Sequence, residues 1–318
     1  MSDPAPAAVL PSRAVRERLA LIWNGDLAYG FRSSPTAVLS AAVLLVCLGA
    51  ALLAPWVAPH NPFDLRTLNL QDSLAPPAWE AGGTARYLLG TDDQGRDVLS
   101  AIMFGARISL LVGLAAVALA MLLGVSLGLL AGYAGGRTDA AIMRIADVQL
   151  SFPAILIALL IDGVARAALP REAHANVAVF VLVVAIGLSN WVQYARTVRG
   201  STMVEKSKEY VQAARVIGIP PLRIMRRHLL PNVLGPVLVL ATINIATAII
   251  TEATLSFLGV GVPPTQPSLG TLIRVGNDFL FSGEWWITIF PGAALVIMVL
   301  AINLLGDWLR DALNPRLR

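Results

Sequence analysis

The chain has 318 residues, 56% of them apolar and 14% charged, with a mean hydropathy of +0.70. A globular domain carries about 25% charged residues, so composition excludes an ordinary soluble protein. A net charge of +4 gives little support to nucleic-acid binding, and one cysteine, Cys47, inside an apolar run, excludes a disulfide framework and a cysteine metal site.

Residues 1–35 carry Arg13, Arg16, Arg18 and Arg32 but no apolar stretch leading to a small-residue cleavage site, and we read them as a cytosolic tail. A six-helix transmembrane domain is expected over 36–306. Crossing the bilayer takes about 20 apolar residues per helix, and four segments have that length: Thr36 to Val57, Ile108 to Tyr133, Val233 to Ile250 and Trp285 to Leu305. Two weaker spans are placed at Ala140 to Ile161 and His174 to Tyr194, with buried soluble-type helices as the alternative. Residues 307–318 form a second tail. The fold class expected is all-α and polytopic.

Orientation follows from where Lys and Arg fall between spans. Four lie before Thr36, eight between Arg196 and Arg227 against two acids, and three after Leu305. The loop 60–106 instead holds three Arg against six acids, and Gly259 to Glu284 holds only Arg274. Both termini and the loop 196–230 are therefore expected in the cytosol, with 60–106 outside.

Within the second span, Gly124, Gly128, Gly132 and Gly136 recur every four residues and mark a close-packing helix face, for use within the chain or against a partner chain. Charged groups at membrane depth are costly. Asp147 is expected to pair with Arg144 one turn earlier, with a place on a translocation path as the alternative. Glu252, at the outer end of the fifth span, is read as water-accessible, able to serve structurally or to meet an ammonium group. Asn244, mid-span, needs a hydrogen-bond partner, and a helix–helix contact is favoured over a substrate contact. The acidic run Thr91 to Asp97 lacks the spacing of a calcium loop. Thr91 or Asp92 as N-cap, with Asp93 in the first turn, is the expected explanation.

The stretch from Glu209 to Asn232 carries most information. Tyr210, Ala213, Ala214 and Ile217 fall at helical spacing, so an amphipathic helix within 205–219 is expected, with those four on its apolar face. Gly218 is placed to end it in the left-handed conformation, and Pro220 and Pro221 bar its continuation. A second helical piece is expected from Leu222 to Leu230. Periodicity leaves open whether such a helix meets lipid or protein.

The residues themselves resemble a family. Glu209, Ala213, Ala214, Gly218, Ile224, His228, Leu230, Pro231 and Asn232 are similar in order to the coupling-loop motif of ABC importer permeases: EAA, three residues, Gly, nine residues, Ile, one residue, Leu-Pro. Gln212 stands where the motif has Glu. Leu89 to Gly113, Gly132 to Pro153 and Glu252 to Pro264 resemble the C-type permeases of dipeptide, oligopeptide and nickel importers at the matching places.

The resemblance implies a type I importer half with the MetI-like fold. Its partners would be a second homologous permease, two cytosolic ATPase subunits, a periplasmic or surface-anchored solute-binding protein and the membrane lipid. It implies ATPase coupling through Glu209, Tyr210, Gln212, Ala213, Ala214 and Gly218. ATP and Mg would be bound by the partner ATPases and no cofactor by this chain. The residues agree: a P-loop needs Gly-Lys-Ser/Thr after a first Gly, and the two lysines, Lys206 and Lys208, do not follow glycine. HExxH is absent and His60, His174 and His228 are scattered, so no catalytic or metal site is expected. An ion-coupled secondary transporter, which predicts inverted repeats around a midplane site, is the alternative, as is a nickel chelate or other small solute in place of a peptide.

Overall fold

The computed structural model describes residues 26–64, 68–263 and 266–312; the arginines of the first tail before position 26 and the end beyond 312 lie outside the described residues. Helix α1 (Asp26–Ser33) leads into α2 (Pro35–Leu52), the first span. Ser34 starts α2: its side chain accepts from the Ala37 amide, and Pro35 occupies the first turn, where a missing N–H costs nothing. The span is shorter than the apolar run, because Pro55 has no N–H to extend the ladder. A separate turn, α3 (Ala54–Val57), follows the break at Leu53.

The second span, α4 (Val98–Ala134), has 37 residues, about 55 Å at 1.5 Å per residue. It begins ten residues before the apolar run does. Its N-cap is Asp97, whose carboxylate accepts from the Ser100 amide at 2.9 Å, which corrects the assignment of Thr91 or Asp92 to that role. Asp92 closes the preceding turn instead, accepting from the Gln94 and Arg96 amides and from Arg96 Nε at 2.6 Å.

The expected third span is two helices. α5 (Gly136–Leu150) and α6 (Ala154–Ala168) meet at a 92° bend. Pro153 explains the break, since it removes a donor and drives the residue before it out of the helical region. Among the described residues five helices are long and apolar enough to span a bilayer, and the bent pair makes a sixth if counted as one. The fourth, α7 (Arg171–Glu205), outruns its predicted bounds at both ends.

Three short elements follow: α8 (Glu209–Val216), α9 (Pro221–Ile224) and a π-helical turn at Met225–Leu229 that runs directly into α10 (Leu230–Phe257). The wider turn lies just before Pro231, whose missing N–H breaks the α-helical ladder at that level. Sequence periodicity marks α9 and the turn as one α-helical piece; they are instead the first turns of the fifth span. A nine-residue helix, α11 (Leu269–Asn277), capped by Ser268, lies where only an outside loop was expected, and α12 (Trp286–Ala312) is the last span.

α4 is the hub. One core joins it to α7 and α10, and a second joins it to α2, α10, α11 and α12. The two described ends of the chain come together, with the Phe31 and Trp308 rings 5.1 Å apart edge to face. Gly306 of α12 lies against Thr242, in the half of α10 that adjoins α8.

Candidate functional site

α8 is held between the ends of two spans by residues that its length alone does not reveal. Lys206, in the linker after α7, donates to the Gly132 carbonyl at 2.7 Å, and Lys208 pairs with Glu205 at 2.7 Å. Tyr210 donates to Glu205 at 3.2 Å and accepts from Asn232 Nδ2 at 3.1 Å, while its ring stacks on His228. One phenol therefore ties α8 to the end of α7 and the start of α10. Burial, then the Glu205 hydrogen bond, raises the Tyr210 pKa, so the group stays a neutral donor at pH 7.

The apolar face differs from the expected one. Val211 and Ala214 are buried, packing into the main core with Ile224 and Leu229; sealing Val211 contributes about 1.5–3 kcal/mol to seating the helix. Tyr210 is half-exposed, Ala213 is exposed, and Val216 and Ile217 are 87% and 73% exposed. The inward stripe is thus displaced by one residue, because the end of the helix points outward where Ile217 was expected to pack. The outer surface of α8 presents Glu209, Gln212, Ala213, Val216 and Ile217. The helix also spans 209–216, a shorter stretch than 205–219.

Gly218 has φ +77°, and the Gly218 and Ile219 amides donate to the Arg215 and Ala214 carbonyls at 3.0 Å each. This is a Schellman cap, and the left-handed conformation it needs favours glycine. Gln212 folds back, donating from Nε2 to the Ser207 carbonyl at 3.0 Å. A glutamate, as the motif has, is acceptor-only when ionised and cannot make this bond. Arg215 lies over the Tyr133 ring at 4.9 Å, linking α8 to the end of α4.

Gly124, Gly128 and Gly132 face α7. A Cβ at Gly124 would lie 2.4 Å from Tyr194 Cβ, one at Gly128 2.5 Å from the Ala195 carbonyl oxygen, and one at Gly132 2.7 Å from Thr202 Cβ. Gly136 does not share the face: α4 has ended, and no atom lies near it. α7 is also clamped from α5. Asp139 accepts from Arg199 Nε and Nη2 at 2.5 and 2.6 Å, and Asp147 accepts from Arg196 at 2.5 Å. The expected Arg144–Asp147 pair is thereby corrected, since Asp147 turns across to α7 rather than along its own helix. Asp139, Arg196 and Arg199 were not singled out by sequence; their one legible signal is charge next to an apolar run.

Glu252 is also corrected. It is wholly buried, with no surface open to water. Its carboxylate accepts from Ser109 on α4 and from Ser256 one turn on, both at 2.7 Å. Ser109 Oγ in turn accepts from the Leu269 amide at 3.3 Å. The group joins α4, α10 and α11. Asn244 sits in the interior beside Tyr194 and Asn190 of α7.

Comparison with known proteins follows this geometry. The profile of the family described as "Binding-protein-dependent transport system inner membrane component" matches residues 124–318, and that of "N-terminal TM domain of oligopeptide transport permease C" matches 24–77. A di/tripeptide transport system permease of Pseudomonas aeruginosa is 41% identical over 276 residues, 86% of each chain. A dipeptide transport system permease of Haemophilus influenzae is 40% identical over 91% of this chain and 93% of its own. An oligopeptide transport system permease of Bacillus subtilis is 35% identical over 100% and 97%. Among solved structures, an inward-facing MetNI methionine ABC transporter chain superposes with a TM-score of 0.52 at 20% identity, covering 67% of this chain and 96% of its own. The last is a likeness of fold.

Proposed function

This chain belongs to the family of binding-protein-dependent transport inner membrane components, and we propose that it forms half of the translocation path of an ATP-driven importer for di- and oligopeptides. The relatives named as dipeptide and oligopeptide permeases support the substrate class. In this reading α8 is the element that ATPase subunits grip. The observation that carries it is the division of α8 into two faces: Val211 and Ala214 rooted in the core, Ala213, Val216 and Ile217 turned out. A helix rooted on one side and exposed on the other transmits a push. Tyr210 passes displacement to α7 and α10 together, and α7 is locked to α4 by the glycine face and to α5 by two ion pairs, so the spans move as a body.

ATP and Mg belong to two partner ATPases, and a second permease completes the path. A solute-binding protein delivers the peptide from outside. The inner membrane is the site of action, with both termini and α8 in the cytosol, where the basic residues concentrate. The ion-coupled alternative loses its basis with the family assignment.

The test is reconstitution. In proteoliposomes holding the chain with its partner subunits, a labelled dipeptide should accumulate only when ATP and the binding protein are supplied on their respective sides. ATP hydrolysis by the isolated chain, or uptake driven by an ion gradient without ATP, would overturn the reading.

A further inference from the structure

A cleft of about 760 Å³ opens between the inner half of α4 and the elements that lead into α10. Met121, Leu122 and Val125 form one wall, and Leu222, Met225 and Leu230 the other. Arg226 stands at its rim. There it adjoins a second hollow, about 400 Å³, bordered by Arg223, Arg226 and Arg227. All three arginines are exposed, and none is in an ion pair with an acid among the described residues. The neighbouring acid Glu205 is already engaged by Lys208 and Tyr210.

We propose that this cleft is a binding site for an anionic phospholipid, with an acyl chain along α4 and the phosphate held by Arg223, Arg226 and Arg227. The volume lies within the range of ligand pockets, about 300–1,000 Å³. The lining is hydrocarbon apart from Ser126 and Arg226, which suits an acyl tail. The arginines meet it where a span leaves the membrane, the level at which a headgroup lies. Guanidinium forks match phosphate oxygens with two parallel hydrogen bonds, and basic pockets between transmembrane helices are recognised lipid sites. A helix of the second permease fits less well, since it would need to bring acids to the same depth. The inference rests on the membrane-spanning fold and is independent of the coupling role given to α8.

The experiment uses the full-length chain purified with its partner subunits from nanodiscs of phosphatidylglycerol mixed with phosphatidylcholine, followed by mass analysis of the lipid that stays bound in mild detergent. The wild type should retain phosphatidylglycerol in preference to phosphatidylcholine. Each arginine near an anionic headgroup contributes about fivefold, so the triple variant R223Q/R226Q/R227Q should hold it on the order of a hundredfold more weakly. R226K, which keeps the charge and loses the fork, should fall between the wild type and the triple variant. L122W, which fills the cleft and leaves the charges in place, should lose it as well, and unchanged circular dichroism establishes that each variant is folded. Equal retention by the wild type, the triple variant and L122W would overturn the site. So would efficient cross-linking of a cysteine at Leu122 to the second permease, because protein would then fill the cleft.

Discussion

Ser109 and Glu252 stand 143 residues apart and share a 2.7 Å hydrogen bond inside a region closed to water. Through it α4, α10 and the N-terminus of α11 are fixed to one carboxylate. Removing one side of a buried hydrogen bond costs about 1–3 kcal/mol per orphaned group. Glu252→Ala strands two hydroxyls and should lower stability by about 2 kcal/mol or more, seen as a lower thermal midpoint in detergent. Glu252→Gln retains the shape and an acceptor and should lose far less. An alanine variant as stable as the wild type would contradict the hub.

The glycine face gives a sharper contrast. Gly128→Val drives a side chain into the Ala195 carbonyl and should prevent α4 and α7 from packing, so that little folded protein is recovered from membranes. Gly200→Ala on α7 meets no atom within 4 Å and should be neutral, or stabilising by about 0.5–1 kcal/mol through helix propensity. Size-exclusion profiles of the two variants decide it.

Much of this was legible in sequence. Apolar length locates the spans, because bilayer thickness sets that length. Gly218 and Pro220 announce the end of α8, since only certain backbones allow it. Less legible was anything settled by a neighbouring helix. Asp147 has Arg144 one turn away, yet pairs with Arg196, 49 residues on; spacing along a helix says nothing of a charge across it. Glu252 reads as exposed because hydropathy places it at a span's end, while the hydroxyls that hold it inside come from Ser109 on α4 and Ser256 on α10. The bend at Pro153 was written in the sequence, and the apolar run on both sides masked it.

The clamp between α5 and α7 predicts reciprocal behaviour. Arg199→Asp should place like charges together and destabilise the protein, and adding Asp139→Arg should restore most of the loss. In a double-mutant cycle on thermal stability the coupling should be on the order of 1 kcal/mol. Strictly additive losses would mean that the pair holds nothing.

Asp93, in the loop before α4, gives a pH dependence. Burial, followed by the neighbouring Asp92, raises its pKa above the ordinary carboxylate value, and its Oδ1 is buried without a hydrogen-bond partner. A carboxyl that holds its proton more tightly folded than unfolded opposes folding once ionised. That opposition is complete above the folded pKa and vanishes as pH falls below the unfolded value, about 3.9. Asp93→Asn should therefore raise the thermal midpoint at pH 7 and leave it unchanged below about pH 4. A gain of equal size at both pH values points to something other than ionisation.

In the proposed function the exposed face of α8 couples ATP hydrolysis to transport. Ala213 is on that face and has no part in the packing of the core, so Ala213→Trp enlarges the outer surface alone. In proteoliposomes with the partner subunits, the measurement is ATP-driven uptake of a labelled dipeptide by this variant, alongside its membrane insertion and thermal midpoint. Uptake should be lost while insertion and stability match the wild type. Uptake at the wild-type rate would contradict it.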